Sequence, residues 1–134
     1  MIIDTGVVIS AFAFGGTPKK SLTKAIEDAR IFVSPPLLNE YRYVPLELLA
    51  KNKIDKDQFK ALISGIAAFV SKAVVVFPKE KLFVCRDPQD NIVLECCLQA
   101  EADILITGDK DLLEIKNLPF RLNILTPRMY LKKA

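Results

Sequence analysis

The segment at residues 102–113 reads ADILITGDKDLL, and the predicted fold of this chain depends on it. Residues 104–107 form a short apolar run that ends in Thr107 and predicts a buried strand. Gly108, Asp109 and Asp111 follow directly and predict a polar loop with a short turn of helix. A strand that is apolar throughout, rather than alternating, is typical of a parallel sheet covered by helices on both faces.

The same succession of apolar strand, polar residues and helix recurs along the rest of the chain. Further strands are predicted at residues 1–3, 31–33, 73–77 and 123–125. Helices are predicted at residues 7–14 and 88–101. Three further helices are predicted to begin at Thr17-Pro18, at Ser34-Pro35 and at Asp55, where each first residue is a good N-cap. Pro45 should bend or end the helix that begins at Ser34-Pro35. This alternation predicts an α/β domain, doubly wound around one parallel sheet of about five strands, with residues 1–134 as a single domain.

The composition excludes several kinds of site. The 134 residues include no histidine, which rules out Ser-His-Asp and Cys-His nucleophiles and every zinc site that needs imidazole. Cys85, Cys96 and Cys97 are odd in number and have no C-x-x-C spacing, so neither a disulfide framework nor a zinc site is expected. We find no convincing signal peptide or membrane span, and we expect the protein to be cytoplasmic.

Acidic residues lie where the predicted parallel strands end together. They are Asp4 after the first strand, Glu40 in the helix after the second, Asp87 and Asp90 at the start of the helix at residues 88–101, and Asp109 and Asp111 after the fourth strand. Open parallel sheets bind ligands beyond the carboxyl ends of their strands, so these carboxylates are expected to converge on one rim. Each acid alone has an ordinary alternative, as a helix cap or as a solvated surface charge.

Convergent carboxylates need a cation, because several negative charges within a few ångströms cannot all stay ionised. Oxygen ligands without histidine or cysteine favour a hard divalent ion, Mg²⁺ or Mn²⁺. Such an ion lowers the pKa of a bound water, orients it for attack on a phosphodiester and stabilises the charge that develops. This chemistry needs no histidine base, so the site and the composition agree.

Four segments resemble the acidic motifs of the PIN domain family. They are residues 1–10 (MIIDTGVVIS), residues 33–40 (VSPPLLNE), residues 86–91 (RDPQDN) and residues 102–113 (ADILITGDKDLL). The resemblance covers nearly the whole chain, and its last segment is the most specific. It implies a three-layer α/β/α sandwich related to the 5′-nuclease folds and a Mg²⁺- or Mn²⁺-dependent ribonuclease. Many small members resemble VapC-type toxins, so the resemblance also implies an RNA substrate, an antitoxin partner and a homodimer.

The resemblance also implies roles for individual side chains. By position, the catalytic and metal-binding acids are Asp4, Glu40, Asp90 and Asp109, with Asp111 as a further metal ligand and Thr5, Ser34, Asp87 and Thr107 as supporting residues. One position departs from the family pattern, because Gly6 stands where the family usually has asparagine. The missing amide removes a hydrogen-bond partner of the acids, so metal affinity is expected to be weaker.

The basic residues leave a second reading open. The net charge is +3, and setting aside the five acids assigned to metal binding leaves 19 basic against 11 acidic residues, which suits a polyanion. Candidate RNA contacts are Lys19, Lys20 and Arg128, together with Lys24, Arg121, Lys132 and Lys133; an ordinary solvated surface explains them equally well. The alternative function is a PIN-like RNA-binding or protein-interaction module with weak or no nuclease activity. A phosphate-transferring receiver domain is disfavoured, because Thr5 and Gly6 follow Asp4 in place of a second acid.

Overall fold

A computed structural model describes residues 1–133; Ala134, the last residue of the predicted domain, lies outside the described residues. Short strands alternate with helices along the chain, which confirms the predicted α/β class. In chain order the elements are β1 (Ile2–Ile3), α1 (Thr5–Phe14), α2 (Gly16–Asp28), β2 (Phe32–Val33), α3 (Pro35–Ala50), α4 (Lys56–Ser71), β3 (Val74–Val75), α5 (Pro88–Ala100), β4 (Ile104–Ile106), α6 (Lys110–Leu113), β5 (Asn123–Leu125) and α7 (Pro127–Lys132).

The strands pair in parallel as predicted, but the prediction of one sheet of about five strands is wrong. β1, β4 and β5 form a three-stranded sheet in the order β1-β4-β5, whereas β2 pairs with β3 separately. The Phe32 amide donates a hydrogen bond of 3.0 Å to the Met1 carbonyl, so β2 still lies beside the start of β1. Because β1 and β2 have only two residues each, this contact does not extend into a ladder.

Helix α1 occupies the interior of the domain. Its buried residues are Thr5, Val7, Val8, Ile9 and Ala11, and it packs against α2, α3 and α4. Gly65 of α4 permits a close approach to α1, because a Cβ at residue 65 would overlap the Phe12 ring. The N-terminus of α1 is thereby held at the end of β1, which fixes the position of Asp4.

The junction between α1 and α2 differs from the prediction. Gly15 adopts a φ of +76°, a conformation that favours glycine, and its amide donates to the carbonyls of Ser10 and Ala11. This closes α1 as predicted, but α2 then begins at once at Gly16. The predicted cap at Thr17 is therefore wrong, since Gly15 occupies the N-cap position and provides no side-chain hydrogen bond.

Pro45 does not end α3, although a proline inside a helix removes one backbone hydrogen bond. Leu37, Tyr41 and Pro45 are spaced by four residues and are the buried residues of this helix. Because the proline ring lies on the same apolar face as its two neighbours, core packing offsets the lost hydrogen bond, and the helix continues to Ala50.

The predicted strand at residues 73–77 is shorter and more exposed than expected. Only Val74 and Val75 have strand geometry among these residues, and they are 40% and 42% exposed. β3 is the outer strand of its pair, so helices do not cover both of its faces as the apolar pattern indicates. None of the helices within residues 1–133 has the length and apolar character needed to span a membrane.

Candidate metal centre

The carboxyl ends of β1, β4 and β5 meet at one edge of the three-stranded sheet. Ile3 pairs with Ile106, so Asp4 and Thr107, the next residues on each strand, become neighbours. The Asp4 amide donates to the Ile106 carbonyl at 2.9 Å, and the Thr107 amide donates to the Leu125 carbonyl at 2.9 Å. The sheet register therefore brings the polar residues after these strands together, as the sequence predicts.

Thr107 connects two of the predicted acids. Its hydroxyl donates to Asp4 Oδ2 at 2.6 Å and accepts from the Asp109 amide at 3.0 Å. The other Asp4 oxygen, Oδ1, accepts from the Thr5 amide at 2.9 Å, so Asp4 also serves as the N-cap of α1. These contacts of Thr107 fix Asp4 and the backbone of Asp109 relative to each other.

Asp90, Asp109 and Asp111 form the closest group of carboxylates. One oxygen from each residue lies within 4.8 Å of the others. Asp90 comes from the first turn of α5, where it is only 7% exposed, whereas Asp109 and Asp111 come from the start of α6. The Asp109 Oδ1 atom accepts from the Asp111 amide at 2.9 Å and caps α6. Two helix N-termini therefore aim three carboxylates at one point.

Glu40 lies next to Asp4 through a different hydroxyl. The Thr5 hydroxyl donates to Glu40 Oε1 at 2.7 Å. The neighbouring Tyr41 is fully buried, and its hydroxyl donates to the Ile3 carbonyl at 2.7 Å. This buried bond ties α3 to the end of β1 and so holds Glu40 beside Thr5. Tyr41 was not among the predicted site residues, although a buried tyrosine directly after a site acid is a signal that its hydroxyl has a structural partner.

The remaining predicted residues surround this group. Asp87 is the N-cap of α5 and accepts from the Gln89 amide. Ser34 is fully buried, but it caps α3 by accepting from the Leu37 amide at 3.3 Å. Ser34 therefore supports the helix that carries Glu40. Its hydroxyl bonds neither Asp4 nor Glu40 among the contacts described for residues 1–133.

The first turn of α5 and the loop before it contribute two residues that the sequence patterns do not identify. The Asn91 side chain accepts from the Cys85 amide at 2.9 Å and fixes the loop that leads into α5. Arg86 then lies 3.6 Å from Asp111 and brings one exposed positive charge to the rim. Both residues belong to the RDPQDN segment, in which only the two aspartates had been interpreted as functional.

Burial raises the pKa of three carboxylates at this edge. Burial raises the pKa of Asp90 to about 7, and the hydrogen bond and charge of Asp109 add to this effect. Burial also raises the pKa of Asp4, against the hydrogen bond from Thr107, and the pKa of Glu40, against the hydrogen bond from Thr5. The cluster therefore carries more negative charge than its own basic neighbours neutralise.

This arrangement fits a hard divalent cation. All donor atoms of the cluster are carboxylate oxygens, which suit Mg²⁺ or Mn²⁺ better than a softer metal. A proton on Asp90 near neutral pH is the consequence expected when acids share a site without a counter-ion. Asp90, Asp109 and Asp111 would hold the ion, with Asp4 and Glu40 beside them.

The predicted basic contacts lie on different surfaces. Lys19 and Lys20 are exposed on α2 and line a shallow depression that contains none of the predicted acids. Lys24 is engaged in the structure, since its ammonium donates to the carbonyls of Tyr130 and Lys133 at the end of α7. Arg128 lies in the first turn of α7, three residues after Leu125, so it is at the same edge of the sheet as the acids.

Three comparisons with known proteins bear on this chain. The PIN domain family model matches residues 1–111. A protein of uncharacterised function from Methanocaldococcus jannaschii is 31% identical over 119 residues, which cover 87% of this chain and 75% of that protein. The fold is similar to a chain in the crystal structure of VapBC2 from Rickettsia felis bound to a DNA fragment from their promoter. That match has a TM-score of 0.62 and 15% identity and covers 93% of this chain and 96% of that chain. The family model spans every acid of the cluster, and the chain belongs to the PIN domain family.

Proposed function

We propose that this protein is a divalent-metal-dependent ribonuclease that hydrolyses RNA phosphodiesters at the cluster of Asp90, Asp109 and Asp111. The observation that carries the proposal is the convergence of these three carboxylates within 4.8 Å, with Asp4 joined to them through Thr107. Membership of the PIN domain family supports a nuclease function. The absence of histidine from the sequence is consistent with a reaction in which water is activated without an imidazole base.

The chain's own side chains have separable tasks in this proposal. Asp90, Asp109 and Asp111 would hold Mg²⁺ or Mn²⁺, while Thr107 and Thr5 hold Asp4 and Glu40 in fixed orientations. When bound, the cation supplies positive charge that makes water a better nucleophile and stabilises the phosphate during displacement. Burial and the neighbouring Asp109 raise the pKa of Asp90 to about 7, so binding of a cation would favour the charged form of this group of acids. Arg128 lies on the same edge and is placed to contact the RNA backbone.

We further propose that the domain extends past residue 111 and that it is the toxin of a toxin–antitoxin pair. β5 pairs with β4, and α7 packs against α2, so residues beyond the matched segment complete the same sheet and helix layer. The structural similarity to VapBC2 supports the fold of such a toxin. Co-expression with the product of an adjacent short reading frame tests the pairing, since a cognate antitoxin should co-purify and should suppress RNA cleavage.

A matched pair of acid variants tests the nuclease activity. Asp109 follows β4 at the acidic edge, and Asp103 precedes β4 at the opposite edge. Asp109→Asn keeps a good helix cap but removes a charge, and we expect cleavage of single-stranded RNA in Mn²⁺ to fall by more than about 100-fold. Asp103→Asn should cleave at the wild-type rate, and EDTA should stop cleavage by both the wild type and Asp103→Asn.

Calorimetric titration with Mn²⁺ separates the alternatives. Wild type and Asp103→Asn should bind the ion, and Asp109→Asn should bind it weakly. RNA binding without metal-dependent cleavage, unchanged in Asp109→Asn, would contradict the proposal and would favour a PIN-like RNA-binding module.

A further inference from the structure

A groove of about 690 Å³ lies beside the candidate metal centre, lined by residues of α1, α3 and α5. We propose that this groove binds one unpaired nucleobase of the RNA, stacked on the Tyr43 ring, while the adjoining phosphate lies at the carboxylate cluster. The inference rests on the proposed nuclease function and adds to it a base-binding subsite with a named platform residue.

The groove lies next to the acidic edge. Thr5 and Glu40, which are joined by their hydrogen bond of 2.7 Å, both line the groove. Gln89 lines it from α5, one residue before Asp90 of the cluster. Tyr43 follows Glu40 by three residues on α3, so the two side chains are neighbours on one helix face. A nucleotide with its phosphate at the cluster therefore has its base within reach of Tyr43.

The chemistry of the groove suits a base better than a phosphate. None of the residues that line it is lysine or arginine, and Glu40 and Glu47 give it negative charge, which repels phosphate. Tyr43 is 67% exposed, and Val44 and Ile92 add apolar surface to the same groove. The ring and this surface match the faces of a neutral, planar base.

Two amide side chains add hydrogen-bonding groups to this apolar surface. Asn39 and Gln89 line the groove, and each offers both donors and acceptors to the edge of a base. The groove thus combines a stacking surface with polar groups and carries no positive charge, a combination that favours a base over the sugar–phosphate backbone.

Gly6 enlarges this subsite. It lines the groove, and a Cβ built at residue 6 would meet no atom within 4 Å. The absence of a side chain at this position therefore leaves open space in the groove.

Fluorescence anisotropy with two labelled probes tests the proposal. The probes are a fluorescein-labelled oligoadenylate of twelve ribonucleotides and an abasic ribose-phosphate chain of the same length, both in Ca²⁺ to slow cleavage. The proteins are wild type, Tyr43→Ala, Tyr43→Phe and a matched control, Phe14→Ala, whose ring is 65% exposed at the far end of α1. Thermal unfolding establishes that all four proteins are folded.

We expect Tyr43→Ala to weaken oligoadenylate binding about 5- to 150-fold, the loss that corresponds to one stacked base. Tyr43→Phe keeps the ring and should restore binding, Phe14→Ala should match wild type, and the abasic probe should bind all four proteins equally. Equal binding of oligoadenylate by wild type and Tyr43→Ala would overturn the proposal, as would a failure of wild type to bind oligoadenylate or an equal loss with the abasic probe.

RNA cleavage in Mn²⁺, measured on the same wild-type sample, distinguishes this inference from the proposed function. If wild type cleaves RNA and Tyr43→Ala binds oligoadenylate as well as wild type does, the proposed base subsite is contradicted and the proposed nuclease activity is not. If binding of oligoadenylate depends on the Tyr43 ring but wild type does not cleave RNA, the base subsite is supported and the proposed nuclease activity is contradicted.

Discussion

The acidic edge of the sheet and the lysine-bearing face of α2 differ in how firmly their charged side chains are held in place. At the acidic edge, Asp4 is bonded to Thr107 across 103 residues of sequence, and Glu40 is bonded to Thr5 across 35 residues. On α2, Lys19 and Lys20 are exposed, and none of the hydrogen bonds described for residues 1–133 involves their ammonium groups.

This difference distinguishes a site with a fixed side-chain geometry from an ordinary solvated surface. Fixing a side chain costs conformational entropy, so groups held by several long-range contacts indicate that a specific geometry is being stabilised. Exposed lysines retain their rotamer freedom and contribute a diffuse field. Both regions are charged, but only the acids at the sheet edge are held by hydrogen bonds between distant parts of the chain.

The strongest test of the comparison removes one hydroxyl from each region. Thr107→Val keeps the shape of the side chain but deletes the bond to Asp4, and we expect RNA cleavage to fall about 10- to 100-fold, as for residues that orient metal ligands. Thr23→Val makes the same change beside the α2 lysines, where the hydroxyl bonds only the backbone of Lys19 among its described contacts. A loss of equal size in both variants would show that the two regions do not differ in this respect.

A smaller effect is expected in the pH dependence of stability. The pKa of Asp90 is raised from 3.8 to about 7, so between these values the folded protein binds more protons than the unfolded chain. The free energy of unfolding therefore falls as pH rises from about 4 to 7 in the absence of a cation. The Tm in EDTA should drop by a few degrees over this range, since about 1 kcal/mol corresponds to about 3–5 °C for a domain of this size.

Two additions make this measurement specific. Mn²⁺ should reverse the loss of Tm at pH 7.5, and Asp90→Asn should flatten the pH profile in EDTA, whereas Asp103→Asn should leave it as in wild type. A Tm of the metal-free protein that rises between pH 5 and 7.5 would contradict the assigned burial of Asp90.

The smallest effect compares one cation at the rim with one on α2. Arg128→Ala should weaken RNA binding about 2- to 5-fold and lower the slope of log affinity against log salt by about 1, as expected for the loss of one phosphate contact. Lys20→Ala should change neither quantity, because it lies away from the acids. A larger loss in Lys20→Ala than in Arg128→Ala would place the RNA on the α2 face.

Much of the site could be predicted from the sequence because it depends on strand ends. A buried apolar strand followed directly by Asp4, or by Thr107 and Asp109, leaves the side chains after it at the carboxyl edge wherever the strands are parallel. The approximate positions of the acids therefore follow from local pattern alone. The hydrogen bond between Thr107 and Asp4 could not be predicted in the same way, because it depends on the register of β1 and β4. That register, in which Ile3 pairs with Ile106, is known only from the folded chain.

The parts that the sequence did not predict depend on tertiary contacts. Pro45 continues its helix because its ring is buried beside Tyr41, and Lys24 is occupied because the end of α7 packs against α2. The division of the strands into sets of three and two arises from strands of two residues, whose length the apolar runs overstated. In each case a local propensity is overridden by a neighbour that is distant in sequence.

The hydrogen bond between Thr107 and Asp4 joins residues that are far apart in the sequence, which determines when the acidic edge can form during translation. Asp109 and Asp111 are translated more than a hundred residues after Asp4. β1 also lacks its hydrogen-bonding partner in the sheet until β4 has been translated. The acidic edge therefore assembles only after the ribosome has passed β4 and α6, and a chain interrupted before residue 104 cannot form it.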